Sequence, residues 1–230
     1  PDGRPYPKEK CNVRLSTLHG QSTHVDDEVS WRRDGTSFPV EYRSHPMYRD
    51  GQVVGAVVAL TDISERKRAE AKVEHMAYHD QLTGLPNRVL FLDRLNQALA
   101  AARRAERFGA IIFIDLDQFK KINDVYGHGF GDLVLKNVAT RLHDGLRESD
   151  TVARFGGDEF VILLPSLARE EGSAASQALA VGEKLREALE VPGEIDDQSY
   201  VASASIGILL FPRQTESVGD LIREADIAMY

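Results

Sequence analysis

Two aspartates follow the most apolar stretch in the second half of the chain. The segment GAIIFIDLDQFKKINDVYGHGFGD places Asp115 at the end of an apolar run over 110–115 and Asp117 just beyond it. Such a run predicts a buried strand, and the residues after it predict a short helix. Carboxylate oxygens at the end of a strand suit a hard divalent cation such as Mg²⁺. The segment is therefore a candidate cation site.

A second acidic pair lies in the segment VARFGGDEFVILL. Gly156 and Gly157 separate two apolar stretches, which predicts a β-hairpin with a tight turn at the glycines and with Asp158 and Glu159 at that turn. If the two strands are neighbours in the sheet, Asp115 and Asp158 converge on one point. Acidic residues in turns are often only solvated, so it is the presence of both clusters that favours a Mg²⁺ site.

The elements that must position these residues alternate between helix and strand beyond Leu85. The pattern predicts an α/β (α+β) sandwich in which helices cover a mixed central sheet. Glu170–Ala178 is small and polar, which predicts a flexible loop. The predicted elements are a helix over 87–107, a strand over 110–115, a helix over 129–146, the hairpin around 156–157, an Ala-rich helix ending near 190, a strand over 200–208 and a helix from about 218.

The first part of the chain has a different pattern. Residues 28–62 alternate polar and apolar positions, with turn signals at Asp34-Gly35 and Asp50-Gly51, which predicts antiparallel hairpins. The charged segment that begins at Ser64 has a loose apolar stripe and predicts a connecting helix. Such a helix is either a solvated spacer or a seam between two copies of the chain, and its pattern leaves both open.

The composition excludes several functions. A formal net charge of -8 argues against a general binder of nucleic acid or of an anionic membrane, because phosphate surfaces attract clustered Lys and Arg. Apolar runs stay short of the roughly 20 residues that span a bilayer. The single cysteine, Cys11, is compatible with a reducing compartment. We therefore expect a cytoplasmic segment without membrane contact, whether or not the parent protein is anchored elsewhere.

Three strings carry a resemblance to a known family. DQLTGLPNR, FIDLDQFKKINDVYGHGFGD and RFGGDEF, in this order and spacing, closely resemble the GGDEF domain of diguanylate cyclases, and the resemblance runs from about Tyr78 to the end. The family fold resembles the catalytic palm of class III nucleotidyl cyclases, with the signature on a β-hairpin. This fold agrees with the predicted element order.

The resemblance implies a metal site and a catalytic pair. Asp115, Asp158 and the backbone carbonyl of Leu116 would bind Mg²⁺ or Mn²⁺. Glu159 would serve a second metal or help to deprotonate an attacking 3′-hydroxyl. Asp158 and Glu159 are thus the implied catalytic residues.

The resemblance also implies a GTP site. The turn Leu116–Lys120 would offer backbone N–H groups and an ammonium to the phosphates, a local anion site in an acidic protein. Asn123 and Asp132 would read guanine, whose N1–H and N2–H groups a carboxylate can accept and adenine cannot supply. Asn123 can instead terminate or cap a helix, and Gly127, Gly129 and Gly131 are expected to permit close backbone approach and turning. The implied GTP-binding residues are Asp115, Gln118, Phe119, Lys120, Asn123, Asp132, Gly156 and Gly157.

The family's reaction requires two such domains. Each domain binds one GTP, and each 3′-hydroxyl attacks the α-phosphate of the other nucleotide, which gives cyclic di-GMP and pyrophosphate. The resemblance therefore implies a homodimer. Regulation would act on its geometry, since a misplacement of about 1 Å can cost on the order of a hundredfold in rate.

Family members often carry an inhibitory Arg-x-x-Asp motif ahead of the signature, where cyclic di-GMP binds. Only Arg147 and Asp150 stand in the family register, and we predict the product-inhibition site there, because arginine pairs well with phosphate. The alternative is an exposed ion pair at a helix end. The same spacing also occurs at Arg141 with Asp144 and at Arg223 with Asp226.

The first sixty residues resemble the C-terminal portion of a PAS sensor domain, through WRRDGTSFPVEYRSHPMYRDGQVVGAVVALTDISERK. The resemblance covers only the closing strands of that antiparallel sheet and its exit helix, so the PAS ligand stays unknown. We predict a PAS portion at 1–63, a connecting signalling helix at 64–79 and a GGDEF domain at 80–230.

Two functions from different classes follow. The leading hypothesis is a diguanylate cyclase under sensory control and product feedback. The alternative is a regulatory GTP-binding module that controls an attached EAL phosphodiesterase domain. In the family, an ADxALY string is followed by a lysine that contacts the GTP phosphates, and here ADIAMY ends at Tyr230. We therefore expect a C-terminally truncated domain without that contact.

Overall fold

The structure is a computed structural model that describes residues 11–212 and 218–227. The first ten residues of the predicted PAS portion and the last three residues of the ADIAMY string lie outside the described part. The chain forms two compact units, Pro1–Glu74 and His75–Tyr230, so the boundary lies inside the predicted connecting helix. Within the described ranges, every helix is too short or too polar to cross a membrane.

Over residues 11–74, the first unit contains a three-stranded antiparallel sheet, one short helix before it and most of the longer helix that follows it. The strands follow each other in the order β1-β2-β3 through two hairpins, which confirms the predicted hairpins. The Glu28 carboxylate accepts hydrogen bonds from the Asn12 side chain (3.1 Å) and from the Tyr42 hydroxyl (3.0 Å), and so ties the short helix to the sheet. The elements are α1 (Asn12–His19), β1 (Thr23–Trp31), β2 (Ser37–Arg49) and β3 (Gln52–Asp62).

The predicted connecting helix is confirmed as α2 (Ser64–Tyr78). Its first amide, at Ser64, donates to the Asp62 carboxylate (2.9 Å), which satisfies one of the backbone groups left open at a helix start. None of its described residues is buried. The helix therefore fits both predicted interpretations, a spacer or a seam between copies.

The second unit is a four-stranded sheet between two layers of helices, which confirms the predicted sandwich. The strand order is β5-β6-β4-β9, and a short hairpin, β7-β8, lies outside this sheet. The elements are α3 (Arg88–Ala105), β4 (Gly109–Leu116), α4 (Phe119–Tyr126), α5 (His128–Asp144), β5 (Thr151–Gly156), β6 (Glu159–Leu164), α6 (Glu171–Glu190), β7 (Gly193–Ile195), β8 (Gln198–Tyr200), β9 (Ala204–Phe211) and α7 (Val218–Ile227).

One detail of the predicted sheet is wrong. A mixed sheet was expected, but every neighbouring pair in it is antiparallel among the described strands. The helical crossover from β4 to β5 does return the chain in its original direction, as in a parallel unit. Because β6 folds back from β5 and lies between the two, parallel strands never become neighbours.

The core lies on both faces of β4. Alternate residues of a strand point to opposite faces. Ile112 and Ile114 pack in one cluster with Phe160 and with residues of α5 and α6, and Ile111 and Phe113 pack in the other with residues of α3 and α7. The half-buried Asp115 is the second-last residue of this otherwise buried strand, which brings a carboxylate to the rim of a packed sheet.

Two predicted boundaries are corrected. The expected flexible loop Glu170–Ala178 is the first half of α6, because the Glu170 carboxylate accepts from the Gly172 and Ser173 amides and because Ala174 and Ala178 are buried. The strand expected over 200–208 is divided between β8 and β9, with residues 201–203 outside both. Glycine and serine, which recur at the start of this segment, lower helix propensity, and here capping and burial outweigh that preference.

Candidate active site

The glycine turn has a backbone conformation that other residues rarely adopt. β5 ends at Gly156 with φ of 149°, and Gly157 follows with φ of 51°. Side chains disfavour both values, whereas glycine adopts them without strain. The predicted hairpin is thereby confirmed, and it holds Asp158 and Glu159 at its tip.

The sheet brings the predicted carboxylates together. Asp115 lies directly opposite Glu159 in the register of β4 and β6, and the Leu116 amide donates to the Asp158 carbonyl (3.3 Å). Residues opposite each other share a face of the sheet, with Cβ atoms roughly 5 Å apart. Over the described ranges no three His, Cys, Asp or Glu side chains already surround one point. The backbone thus brings Asp115, Asp158 and Glu159 to the same edge of the sheet.

The turn after β4 is fastened to β9. The Asp117 amide donates to the Ser203 carbonyl (2.9 Å), and the Ser205 hydroxyl donates to the Asp117 carboxylate (2.8 Å). The second aspartate of the strand end is thus an anchor for this turn. Sequence reasoning did not identify Ser205, which is far from Asp117 along the chain.

The predicted phosphate-binding residues surround the start of α4. Gln118 has φ of 56°, and its side-chain oxygen accepts from the Lys121 ammonium (3.0 Å). Phe119 is buried in the core, while Lys120 is exposed. The buried Phe119 ring therefore anchors the turn to the core, and the Lys120 ammonium is exposed to solvent.

Only some backbone amides of the predicted phosphate-binding turn lack a hydrogen-bond partner within the described protein. The amides of Leu116 and Asp117 already donate to carbonyls within the protein. The first amides of a helix have no partner inside that helix. The Lys121 amide already donates to the Gln118 carbonyl (2.8 Å), so a phosphate at this turn would meet the amides of Gln118, Phe119 and Lys120.

The predicted guanine-reading residues share one corner between α4 and α5. A Cβ added at Gly131 would lie 1.9 Å from the side-chain oxygen of Asn123, so only glycine admits Asn123 in this position. Asp132 follows Gly131 directly and is exposed. The expected close approach is confirmed at Gly131, whereas a Cβ at Gly127 or Gly129 would meet no atom within 4 Å, so the expectation is wrong for these two. The expected turning is found at Gly127, which has φ of 85°.

An arginine that sequence reasoning missed lies beside the signature turn. The Arg154 guanidinium donates to the Gly157 carbonyl (3.0 and 2.7 Å) and to both carboxylate oxygens of Asp80 (3.0 and 3.2 Å). Burial alone would raise the pKa of Asp80, but hydrogen bonds from Thr83 and Arg154 outweigh it and hold the pKa below its ordinary value. The detectable signal was a lone charge in the otherwise apolar strand VARF.

The predicted product-inhibition residues form a compact turn between α5 and β5. The Asp150 carboxylate accepts from the Arg147 amide (3.1 Å), and the Asp150 amide donates to the Arg147 carbonyl (3.0 Å). Both residues line a cleft of about 460 Å³ that is also lined by Arg107 and Lys184. The product-inhibition site stays a prediction, and several basic side chains line its cleft.

The other two Arg-x-x-Asp spacings have different surroundings. Arg141 donates to the carbonyls of Ala188 (3.3 Å), Leu189 (3.3 Å) and Val191, and so caps the end of α6. Arg223 pairs with Asp220 (3.1 Å) on the same helix. The geometry therefore favours Arg147 among the three.

The family match and the two relatives described next correspond mainly to the second unit. Residues 77–230 match the family described as diguanylate cyclase, GGDEF domain. The bifunctional diguanylate cyclase/cyclic di-GMP phosphodiesterase MucR of Pseudomonas aeruginosa is 47% identical over 163 residues, 71% of this chain and 23% of MucR. The diguanylate cyclase TpbB of the same organism is 44% identical over 161 residues, 70% of this chain and 36% of TpbB.

A solved structure of the isolated GGDEF domain of TpbB has a TM-score of 0.61 to this chain at 42% identity and covers 66% of this chain and 86% of the solved one. The chain thus spans 23% and 36% of the two curated relatives. The matched region begins in the last turn of α2 and contains every predicted site residue. By sequence match and by fold, the chain belongs to the GGDEF domain family of diguanylate cyclases.

Proposed function

We propose that this chain carries the catalytic domain of a diguanylate cyclase, which condenses two GTP molecules into cyclic di-GMP with release of pyrophosphate. The observation that carries the proposal is the pairing of Asp115 with Glu159 across β4 and β6, next to Asp158 at the glycine turn. Carboxylates at the rim of a packed sheet, beside the start of a helix, can serve both a metal ion and a phosphate. The names of the relatives support the same reaction.

The donor set fits a hard divalent cation. The carboxylates of Asp115, Asp158 and Glu159 and the carbonyl oxygen of Leu116 would hold Mg²⁺ or Mn²⁺, because these ions prefer oxygen ligands. All three carboxylates are half-buried, and a bound cation would offset the repulsion between neighbouring like charges. A bound ion would supply Lewis-acid stabilisation of charge on the reacting phosphate.

The residues of the chain itself would bind and orient GTP. The Lys120 ammonium and the first amides of α4 would donate to the phosphates, while Asn123 and Asp132 would hold guanine. The 3′-hydroxyl oxygen of one GTP forms a bond to the α-phosphorus of the other, and the bond from that phosphorus to the bridging oxygen breaks. Pyrophosphate leaves with this oxygen, and Glu159 would accept the hydroxyl proton.

The reaction would require a homodimer, since each domain binds one GTP and the two sites must face each other. Helix α2 suits the control of that geometry, because its apolar side chains Val73 and Met76 are exposed and available to a second copy. We further propose that the first unit is a PAS portion that acts through this helix on an unidentified signal. Its antiparallel hairpins and exit helix support this interpretation.

Product feedback is the last part of the proposed function. Cyclic di-GMP would bind at Arg147 and Asp150, where Arg107 and Lys184 line the same cleft and suit a phosphate diester. Binding there would hold the domains apart from their productive geometry.

The test is incubation of the full-length protein with GTP and Mg²⁺, followed by chromatographic separation of the nucleotides. We expect cyclic di-GMP and pyrophosphate. Asp158→Asn should lower the rate at least about a thousandfold, because it removes a ligand of the charge-stabilising ion. Asp144→Asn, an exposed aspartate on α5, is the matched control and should leave the rate unchanged. GTP binding without any cyclic di-GMP would overturn the cyclase assignment.

A regulatory module for an attached EAL phosphodiesterase domain is the second candidate. The specific observation in its favour is the relative MucR, named as bifunctional, in which the matched region is 23% of the protein. In this case GTP would change the rate of cyclic di-GMP hydrolysis by the full-length protein while no new cyclic di-GMP forms. Linearised product, separated in the same chromatogram, distinguishes the two functions.

A further inference from the structure

Arg154 bridges the signature turn and the DQLTGLPNR segment. We propose that Arg154 is a positioning residue, which fixes the Gly157 peptide and thereby orients the metal-binding Asp158, and that Asp80 holds Arg154 in place. The inference rests on the proposed function, because it assigns Asp158 to the metal. It adds two residues that bind neither GTP nor the metal themselves.

The first step is the contact with the turn. Two guanidinium nitrogens of Arg154 donate to the Gly157 carbonyl, at 3.0 and 2.7 Å. This carbonyl belongs to the planar peptide that leads into Asp158, so fixing it fixes the direction in which the Asp158 backbone leaves the turn. Two consecutive glycines would otherwise leave this turn unusually free.

The second step is the support of the arginine. The Arg154 side chain is 10% exposed, and it meets both oxygens of the Asp80 carboxylate, whose side chain is 21% exposed. Asp80 is itself held, because it accepts from the Thr83 amide (2.9 Å) and hydroxyl (2.7 Å). One nitrogen, Nη1, contacts both Asp80 oxygens, while Nε and Nη2 donate to the Gly157 carbonyl. Because all three guanidinium nitrogens have partners, the planar group is kept in one orientation.

The third step is the backbone around the pair. The Arg154 amide donates to the Pro86 carbonyl (3.0 Å), and the Asp80 amide donates to the Leu85 carbonyl (2.8 Å). The DQLTGLPNR segment is therefore bound to β5 on both sides of the ion pair. Because both partners sit on a fixed backbone, the pair can transmit position to the turn.

A positioning role for Arg154 predicts a specific change in metal affinity. If Arg154 is lost, the Asp158 carboxylate is still present but is less well directed, so metal should bind more weakly while GTP contacts at α4 and α5 remain. We expect Arg154→Ala to raise the Mn²⁺ concentration for half-saturation about tenfold and to lower kcat on the order of a hundredfold. The affinity for GTP measured without metal should change less than about twofold.

The experiment titrates Mn²⁺ into full-length protein loaded with 3′-deoxy-GTP, which cannot react, and follows free Mn²⁺ by electron paramagnetic resonance. Thermal midpoints are measured on the same samples. Arg154→Lys is the second variant: it keeps the charge, but its single ammonium cannot serve both Asp80 and Gly157 with the geometry of a guanidinium. Arg141→Ala is the stability control, since it uncaps α6 without touching the turn.

The double variant Asp80→Asn with Arg154→Ala completes the design. If the two residues act as one unit, the double variant should bind Mn²⁺ no more weakly than Arg154→Ala alone. Unchanged Mn²⁺ affinity in Arg154→Ala, or an equal shift in Arg141→Ala, would overturn the positioning role. Because the readout is metal binding, it stays valid if the wild-type protein makes no cyclic di-GMP, and the two proposals fail separately.

Discussion

The sheets of the two units differ in how much of their apolar surface is buried. In the second unit, helices cover both faces, and Phe160 of β6 is fully buried. In the first unit, Trp31 is 66% exposed, Val57 55% and Leu60 53%. A packed sheet can hold carboxylates at its rim in fixed positions, which chemistry requires, whereas a sheet with exposed apolar side chains can still bind a cover or a partner.

Truncation of one apolar residue in each sheet tests this contrast most strongly. Phe160→Ala should destabilise the second unit by about 3–5 kcal/mol, because it leaves a cavity in a packed core. Leu60→Ala should cost the first unit less than about 1 kcal/mol, since much of this side chain is exposed before the change. Urea unfolding can separate the units: Trp31, the single tryptophan, reports on the first by fluorescence, and ellipticity at 222 nm follows the more helical second unit.

The result that would break the comparison is a large effect at Leu60. A cost equal to that of Phe160→Ala would mean that the face of β3 bearing Leu60 is covered in solution. A shift of the Trp31 transition in Phe160→Ala would mean that the units unfold together.

Sequence reasoning succeeded where one local pattern decides the structure. The apolar run before Asp115 predicted a buried strand, and Gly156-Gly157 between two apolar stretches predicted a tight turn; both are present. To predict that Asp115 and Glu159 lie opposite each other, one further assumption was needed: that the strands bearing them are neighbours in the sheet. The structure supplies it, since β4 and β6 pair directly.

Sequence reasoning failed where contacts between residues far apart in the chain determine the structure. The pair Asp80 and Arg154 joins positions 74 residues apart, and neither residue has a local pattern that names its partner. The start of α6 was predicted as a loop from its small residues, because the burial of Ala174 against the sheet is invisible along the chain. Propensity is local, whereas burial depends on the whole fold.

Within the second unit, two glycines of α5 allow a further comparison, because one lies in a crowded site and the other in an open one. Gly131→Ala should weaken GTP binding about tenfold, because the new methyl group displaces the Asn123 side chain from its place and would remove the hydrogen bond to guanine that we propose for it. Gly129→Ala is the matched control, since a Cβ there meets no atom within 4 Å. Calorimetric titration with 3′-deoxy-GTP measures both. Equal affinities in the two variants would remove Asn123 from the guanine site.

The smallest expected effect concerns two aspartates, one in each unit. The pKa of Asp80 is lowered because hydrogen bonds from Thr83 and Arg154 outweigh its burial, and the pKa of the exposed Asp34 is lowered by hydrogen bonds from Thr36. A lowered pKa in the folded state adds stability above the ordinary value of 3.8, which is lost as pH falls through the lowered pKa. The urea midpoint of Asp80→Asn should therefore lie below that of the wild type by a constant amount from pH 7 to about 4, and the gap should narrow only below pH 3.8. Asp34→Asn should show almost no gap at any pH, because solvent screens an exposed carboxylate. A gap at Asp80 that already closes between pH 7 and 5 would show that a group other than this carboxylate carries the stabilisation.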